Sequence, residues 1–211
     1  MKRRYRHAEG GCRCDNHITV DSKGRIFIIR VIAGQAGGIK LKTPKGMHTR
    51  PTVDRVKESV FNILNPYIPG SVILDLFSGT GALAIEALSR GANSAVIVEA
   101  DKNICLTIKE NLEHTRLVGK AIVYCMKAAA AIKELSQKGQ CFDMVFMDPP
   151  YLKNLIQETL QLLVENDIIK KDGIVIMEHH RDELVPERIG CFEKVRCEEY
   201  GETCISFLSV L

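Results

Sequence analysis

From Val72 onward, short β-branched apolar runs alternate with helix-patterned segments, and few architectures accept that alternation. Val72–Leu76, Ser94–Glu99, Ala121–Cys125, Phe142–Met147 and Gly173–Glu178 read as strands. Ala82–Ser89, Lys102–His114, Ala128–Leu135 and Leu155–Val164 read as helices, with Ile104, Ile108 and Leu112 on one face of the second. The repetition predicts an α/β, Rossmann-like fold around a mostly parallel, doubly wound sheet. Phe192–Glu199 and Thr203–Leu211 are separated only by Tyr200-Gly201-Glu202. A parallel crossover needs a dozen residues or more, so these two are expected to pair antiparallel.

Upstream of the alternation, Ile26–Ala33 and Ile39–Lys42 flank the turn Gly34–Gly38 and read as a small N-terminal β appendage. Arg50-Pro51-Thr52 opens a helix, with Thr52 as N-cap and Val53, Val56, Val60, Phe61 and Leu64 at helical spacing before Pro66. Residues 1–25 lack periodicity and are expected to be a disordered extension, residues 26–66 a basic hairpin and helix, and residues 67–211 the main domain. Within the extension, His7, Cys12, Cys14 and His17 lack the spacing of a zinc site. The eight cysteines are scattered, most of them in apolar segments, and read as buried thiols of a reducing cytoplasm. The basic N-terminus is followed by no apolar core, and no apolar run reaches membrane-spanning length.

The net charge of +3 conceals an asymmetry: residues 1–57 hold 14 Lys/Arg and 4 Asp/Glu, whereas residues 58–211 hold 15 and 22. A basic N-terminal quarter on an acidic body suggests a polyanionic partner engaged from one side.

Two motifs carry chemistry. The first strand of the alternation ends at Asp75-Leu76-Phe77-Ser78-Gly79-Thr80-Gly81, and Glu99 closes the next strand. Glycines let the backbone approach a ligand, the following helix offers its N–H groups, and a carboxylate after the second strand can accept ribose hydroxyls. A dinucleotide, S-adenosylmethionine (AdoMet) or a ligand-free packing turn each fits the glycines. Asp75 favours AdoMet, because a carboxylate repels pyrophosphate but suits a sulfonium and an amino group. The second motif, Asp148-Pro149-Pro150-Tyr151, follows the fourth strand of the alternation at the same sheet edge. An exocyclic base nitrogen is a poor nucleophile because its lone pair is delocalised. A carboxylate and a rigidly held carbonyl that accept its two N–H bonds can favour a pyramidal nitrogen, and an aromatic ring can stack on the base.

Together these residues resemble class I AdoMet-dependent amino-methyltransferases, and more narrowly the RsmD family of bacterial 16S rRNA guanine-N2 methyltransferases. The resemblance runs from about Arg30 to Leu211. It rests on Arg30-Val31-Ile32-Ala33-Gly34, Thr49–Glu58 with its Arg50-Pro51-Thr52, the Asp75–Gly81 turn, Asp148–Tyr151 and Tyr200-Gly201-Glu202-Thr203. It implies that Asp75, Phe77, Ser78, Gly79 and Gly81 surround the methionine part of AdoMet. It also implies that Glu99 holds the ribose, with Ala100 and Ala128 near the adenine. Asp148, Pro149, Pro150 and Tyr151 would place the guanine amino group for in-line attack. Arg50–Lys57 would lie over the site, although Lys57 could simply be solvated. Arg30, Lys40, Lys42, Lys45, Arg50 and Arg55 would contact phosphates of 16S rRNA, within an assembling small ribosomal subunit. One departure stands out: Lys127 precedes Ala128 where the family usually has Asp or Asn, and lysine offers no acceptor to an adenine amino group. The reaction so implied requires neither a cysteine nucleophile nor a metal. Methylation of adenine N6 in DNA or RNA, or of a protein glutamine, is the alternative within the same fold. A non-catalytic RNA-binding module that keeps AdoMet, and a dehydrogenase, are alternatives of other classes.

Overall fold

The computed structural model describes residues 19–20, 26–44, 53–151 and 155–211. Two short strands, β1 (Thr19–Val20) and β2 (Ile26–Phe27), pair antiparallel ahead of α1 (Val53–Leu64). The alternation follows as β3 (Val72–Leu76), α2 (Ala82–Ser89), β4 (Ser94–Glu99), α3 (Lys102–His114), β5 (Ala121–Cys125), α4 (Ala128–Gln137), β6 (Phe142–Met147) and α5 (Leu155–Asn166). It closes with β7 (Ile169–His180), β8 (Arg188–Ile189), β9 (Phe192–Tyr200) and β10 (Thr203–Val210).

The eight strands β3–β10 form one sheet in the order β5-β4-β3-β6-β7-β10-β9-β8. The β5-to-β7 half is parallel, and β10 pairs antiparallel with both β7 and β9. From β3 the chain first winds outward to β4 and β5, then returns to β6 on the other side. The order therefore reverses between β3 and β6, and their carboxyl ends diverge into a crevice.

Period-two alternation sorts the strand residues into two apolar layers. Ile73 of β3 packs with α1, α2 and α3, through residues such as Phe61, Ile85 and Ile108. Leu74 and Leu76 pack on the other side with α4 and α5, against Ile132, Leu135 and Leu160. Among the described residues, no helix is long and apolar enough to cross a membrane.

The N-terminal appendage departs from the expected hairpin of two continuous strands. Arg30 and Lys40 make a single bridge, flanked by Val31 N–H to Ile39 O at 2.9 Å and Leu41 N–H to Ile29 O at 2.8 Å. Ile26–Phe27 turns away to pair with Thr19–Val20, which lies inside the segment expected to be unordered. The reason lies in where the backbone donors go. Ile32 and Ala33 give their N–H groups to the Glu86 carboxylate at 2.7 and 3.0 Å, and Ala36 gives its own to Ser89 Oγ at 2.9 Å. The segment is thus tied to α2 as a strap. Further along, Asn111 of α3 accepts Lys42 N–H at 2.7 Å and donates to Lys42 O at 3.1 Å.

The strap turns at Gly34, where φ is +81° and an added Cβ would lie 1.9 Å from the Ser89 carbonyl oxygen. Gly34→Ala is expected to cost about 3 kcal/mol, since both strain and collision with backbone are unavoidable. Urea denaturation checks this, and an unchanged midpoint would contradict it.

β7 begins four residues earlier than its apolar run suggests. Asp172 adopts φ 64° and the β6–β7 register shifts between Phe142 and Met144, so the strand continues across an irregularity that turn-forming residues had masked.

Candidate active site

The crevice at the carboxyl ends of β3 and β6 opens into a cavity of about 530 Å³, a size typical of small-molecule sites. Both sequence motifs line it. From β3 comes Asp75, and from the turn after it Phe77, Ser78 and Gly79; from β4, Glu99; from the segment after β6, Asp148, Pro149, Pro150 and Tyr151. Phe146, Ile176 and Ile205 give it an apolar floor.

The glycine turn is built from left-handed residues. Phe77, Gly79 and Gly81 have φ of 60°, 53° and 77°. For glycine this conformation is cheap; for Phe77 it costs about 1–3 kcal/mol, the kind of strain that clusters at functional sites. The result reverses the chain within a few residues and aims the start of α2 at the cavity. Gly79 N–H donates to Glu99 Oε2 at 3.1 Å, and Glu99 Oε1 accepts Ala100 N–H at 2.7 Å and Asp101 N–H at 3.0 Å. The β3 and β4 loops are thereby locked together around one carboxylate.

Asp75 is 1% exposed, and its Oδ2 accepts Ala84 N–H at 3.1 Å. Burial, with Glu99 nearby, pushes its carboxyl up to about 7, against the pull of the Ala84 hydrogen bond. When ionised, a buried carboxylate of this kind suits a cation and repels an anion.

Tyr151 is anchored by its hydroxyl, which donates to Glu178 Oε1 at 2.6 Å and lies 3.4 Å from Thr203 Oγ1. Burial and the Glu178 carboxylate push its phenol well above the ordinary value, so it stays protonated. Held at its far end, the ring has the direction of its long axis fixed.

Gly81, Ala100 and Ala128 do not line the cavity. Gly81 lies beneath it, where an added Cβ would come within 3.2 Å of Ile108. Ala100 is exposed, and Ala128 opens α4 behind the N-cap residue Lys127, which makes no side-chain cap. Of the basic residues, Arg30, Lys40 and Arg55 are exposed, and Lys42 pairs with Glu110 at 3.0 Å. Lys45 and Arg50 lie outside the described residues, as does Thr52.

A family model described as conserved hypothetical protein 95 matches residues 29–209. Ribosomal RNA small subunit methyltransferase D of Haemophilus influenzae is 36% identical over 80% of this chain and 87% of its own length. Its Escherichia coli namesake is 37% identical over 75% of this chain and 78% of its own. The chain belongs to the ribosomal RNA small subunit methyltransferase D family. Solved structures agree. The E. coli protein yhhF, 34% identical, superposes with a TM-score of 0.76 over 87% of this chain and 98% of that one. H. influenzae HI0767, 31% identical, does so with 0.73 over 88% and 99%.

Two residues of this family member gain roles that their sequence context did not reveal. Lys57 is not solvated: it is 3% exposed, lines the cavity, donates to Arg30 O at 2.5 Å and lies 3.5 Å from Glu86 Oε2. Its place on the same face of α1 as Val56, Val60 and Phe61 was the available signal, because a lysine on an apolar stripe needs a buried partner. Glu178, the last residue of an apolar run, shares the cavity with Tyr151. No local pattern links it to a tyrosine 27 positions away. The family segment Tyr200–Thr203 also acquires a physical meaning. Tyr200 donates its hydroxyl to Ser59 of α1, and Thr203 contacts Tyr151, so one tight turn supports both α1 and the Asp148–Tyr151 segment.

Proposed function

We propose that this chain transfers the methyl group of AdoMet to the exocyclic N2 of a guanine in 16S rRNA, during maturation of the small ribosomal subunit in the cytoplasm. The observation that carries the reading is the convergence of Asp148–Tyr151 with Asp75, Gly79 and Glu99 on one cavity at the switch point of the sheet. The names of the relatives support an rRNA substrate, and the resemblance of the Arg50-Pro51-Thr52 and Tyr200–Thr203 segments to guanine-N2 enzymes supports the choice of base.

The residues fit AdoMet on physical grounds. Asp75 is a buried acid at the cavity wall, unsuited to phosphates and suited to an amino group or sulfonium. AdoMet supplies an electrophilic methyl group on its sulfonium. Glu99 offers ribose hydroxyls a carboxylate already fixed by three backbone donors. Asp148 and the neighbouring backbone carbonyl accept the two N–H bonds of the guanine amino group, and the anchored Tyr151 ring stacks on the unstacked base. Held in line in one cavity, the two reactants gain most of their rate from positioning. Exposed Arg30, Lys40 and Arg55, together with Lys42, Lys45 and Arg50, neutralise rRNA phosphates.

Asp75 makes AdoMet binding pH-dependent. In the unfolded chain it ionises near 3.8 and in the folded chain near 7, so the folded state holds the extra proton between these values. Its burial therefore costs stability only as pH rises through that window. A cationic ligand needs the ionised form, so AdoMet affinity is expected to rise with pH, at most about tenfold per unit, and to level above about 7. Calorimetric titration across pH checks this, and Asp75→Asn should flatten the profile. A flat wild-type profile would contradict it.

Labelled AdoMet offered with unmethylated small subunits, naked rRNA, DNA and protein extract, followed by nucleoside analysis, tests the reaction. N2-methylguanosine in 16S rRNA is expected. Label in adenine or glutamine would overturn the choice of acceptor, and binding without transfer would overturn catalysis.

A further inference from the structure

On the face of the sheet opposite Tyr151, three strands bring together a set of soft ligands. A ring nitrogen of His179 on β7, the Cys204 sulfur on β10 and the Cys197 sulfur on β9 lie within 4.8 Å of one another. The register explains this. His179 is the direct partner of Cys204 across β7–β10, and Cys197 is the direct partner of Ser206 across β10–β9. Cys204 and Ser206 are two apart on one strand and so share a face. Three side chains on three different strands thus meet at one point of the pleat.

We propose that His179, Cys197 and Cys204 form a zinc site that clamps β7, β10 and β9 together. Two thiolates and an imidazole are a donor set that zinc favours, with its fourth position left to water. The imidazole is already oriented for metal binding. Its Nδ1 lies 2.9 Å from His180 O, an outer-shell bond of the kind that fixes the tautomer of ligating histidines. That bond leaves the Nε2 lone pair as the metal ligand, and the metal displaces the Ser206 hydroxyl that hydrogen-bonds it at 2.9 Å. His179 and Cys204 are buried and Cys197 is exposed, so the metal has an entry path. Binding releases two thiol protons to solvent, and the doubly charged ion with two thiolates leaves a site with no net charge. A direct disulfide is the poorer use of these sulfurs, because diagonal positions across two strands stand too far apart at Cα for a relaxed bridge. The clamp sits directly behind Glu178 and Thr203, the two residues that hold the Tyr151 hydroxyl.

The test is titration of the reduced, chelator-treated full chain with cobalt(II), then displacement by zinc. One equivalent is expected, with tetrahedral visible bands and a thiolate-to-cobalt charge-transfer band. Cys197→Ser should weaken binding by at least about 100-fold, more than an outer-shell loss. Its exposure means that the fold should survive, which circular dichroism verifies. Cys141→Ser should leave binding unchanged. Zinc should raise the melting temperature of the wild type and not of Cys197→Ser. Absence of the charge-transfer band, or its full retention in the Cys197→Ser, Cys204→Ser double variant, would overturn the proposal.

Discussion

Asp148→Ala is expected to lower methyl transfer by about 10³-fold while AdoMet affinity changes by less than about threefold. The carboxylate belongs to the segment after β6, whereas the residues proposed to hold AdoMet, the glycine turn and Glu99, reach the same cavity from the ends of β3 and β4. In the proposed reaction, removing it deletes an acceptor for the amino group as that nitrogen becomes pyramidal, an interaction strongest in the transition state. Pro149 is buried and constrains the backbone on either side, so the loop should keep its course. Single-turnover kinetics beside calorimetric AdoMet titration separates the two effects. Retained transfer would remove Asp148 from the mechanism; an equal loss of AdoMet binding would assign it to cofactor holding.

The largest stability effect is expected at a residue remote from the chemistry. Glu86 is fully buried within α2 and holds four groups: the N–H groups of Ile32 and Ala33, Arg90 Nε at 2.7 Å and Lys57 Nζ at 3.5 Å. Glu86→Ala leaves two cations with side chains only 2% and 8% exposed to face each other without their shared anion. Breaking a buried pair from one side costs about 3–5 kcal/mol. For a domain of this size that is a fall in melting temperature of roughly 10–15 °C. Glu86→Gln keeps the acceptor for the strap and should fall less. Thermal denaturation of both variants is the check, and parity with wild type for Glu86→Ala would refute the network's importance.

The alternating half of the fold was readable because its signals are local. β3, β4, β5 and β6 are short apolar runs with helix-patterned segments between them, and the sheet order follows from how such units wind. The Gly79-x-Gly81 turn and Asp148–Tyr151 were readable for the same reason. What escaped was long-range pairing of polar groups. Glu86 looks like an ordinary helix glutamate until the strap arrives from 54 positions away. Lys57 looks solvated until Arg30 O and Glu86 are in place. The strap reads as two strands because Ile26–Ala33 has the right composition, yet its donors are claimed by side chains that no periodicity reveals. The trio His179, Cys197 and Cys204 has no motif spacing at all; only the register of three strands brings it together.

The position of β10 has a consequence for biosynthesis. It follows β9 in sequence and is the last of the described strands, yet it lies between β7 and β9 and is hydrogen-bonded to both. A ribosome releases the N-terminal parts first, so β7 leaves the tunnel with its outer edge open, and β9 emerges with no sheet to join. Until Thr203–Val210 is free to slot between them, the nascent protein displays an unpaired edge of the kind that templates aggregation. β10 therefore acts as the closing piece of the sheet. Truncation within β10, or a bulky fusion that delays its insertion, should yield insoluble chains even though no cavity residue before Thr203 has been altered.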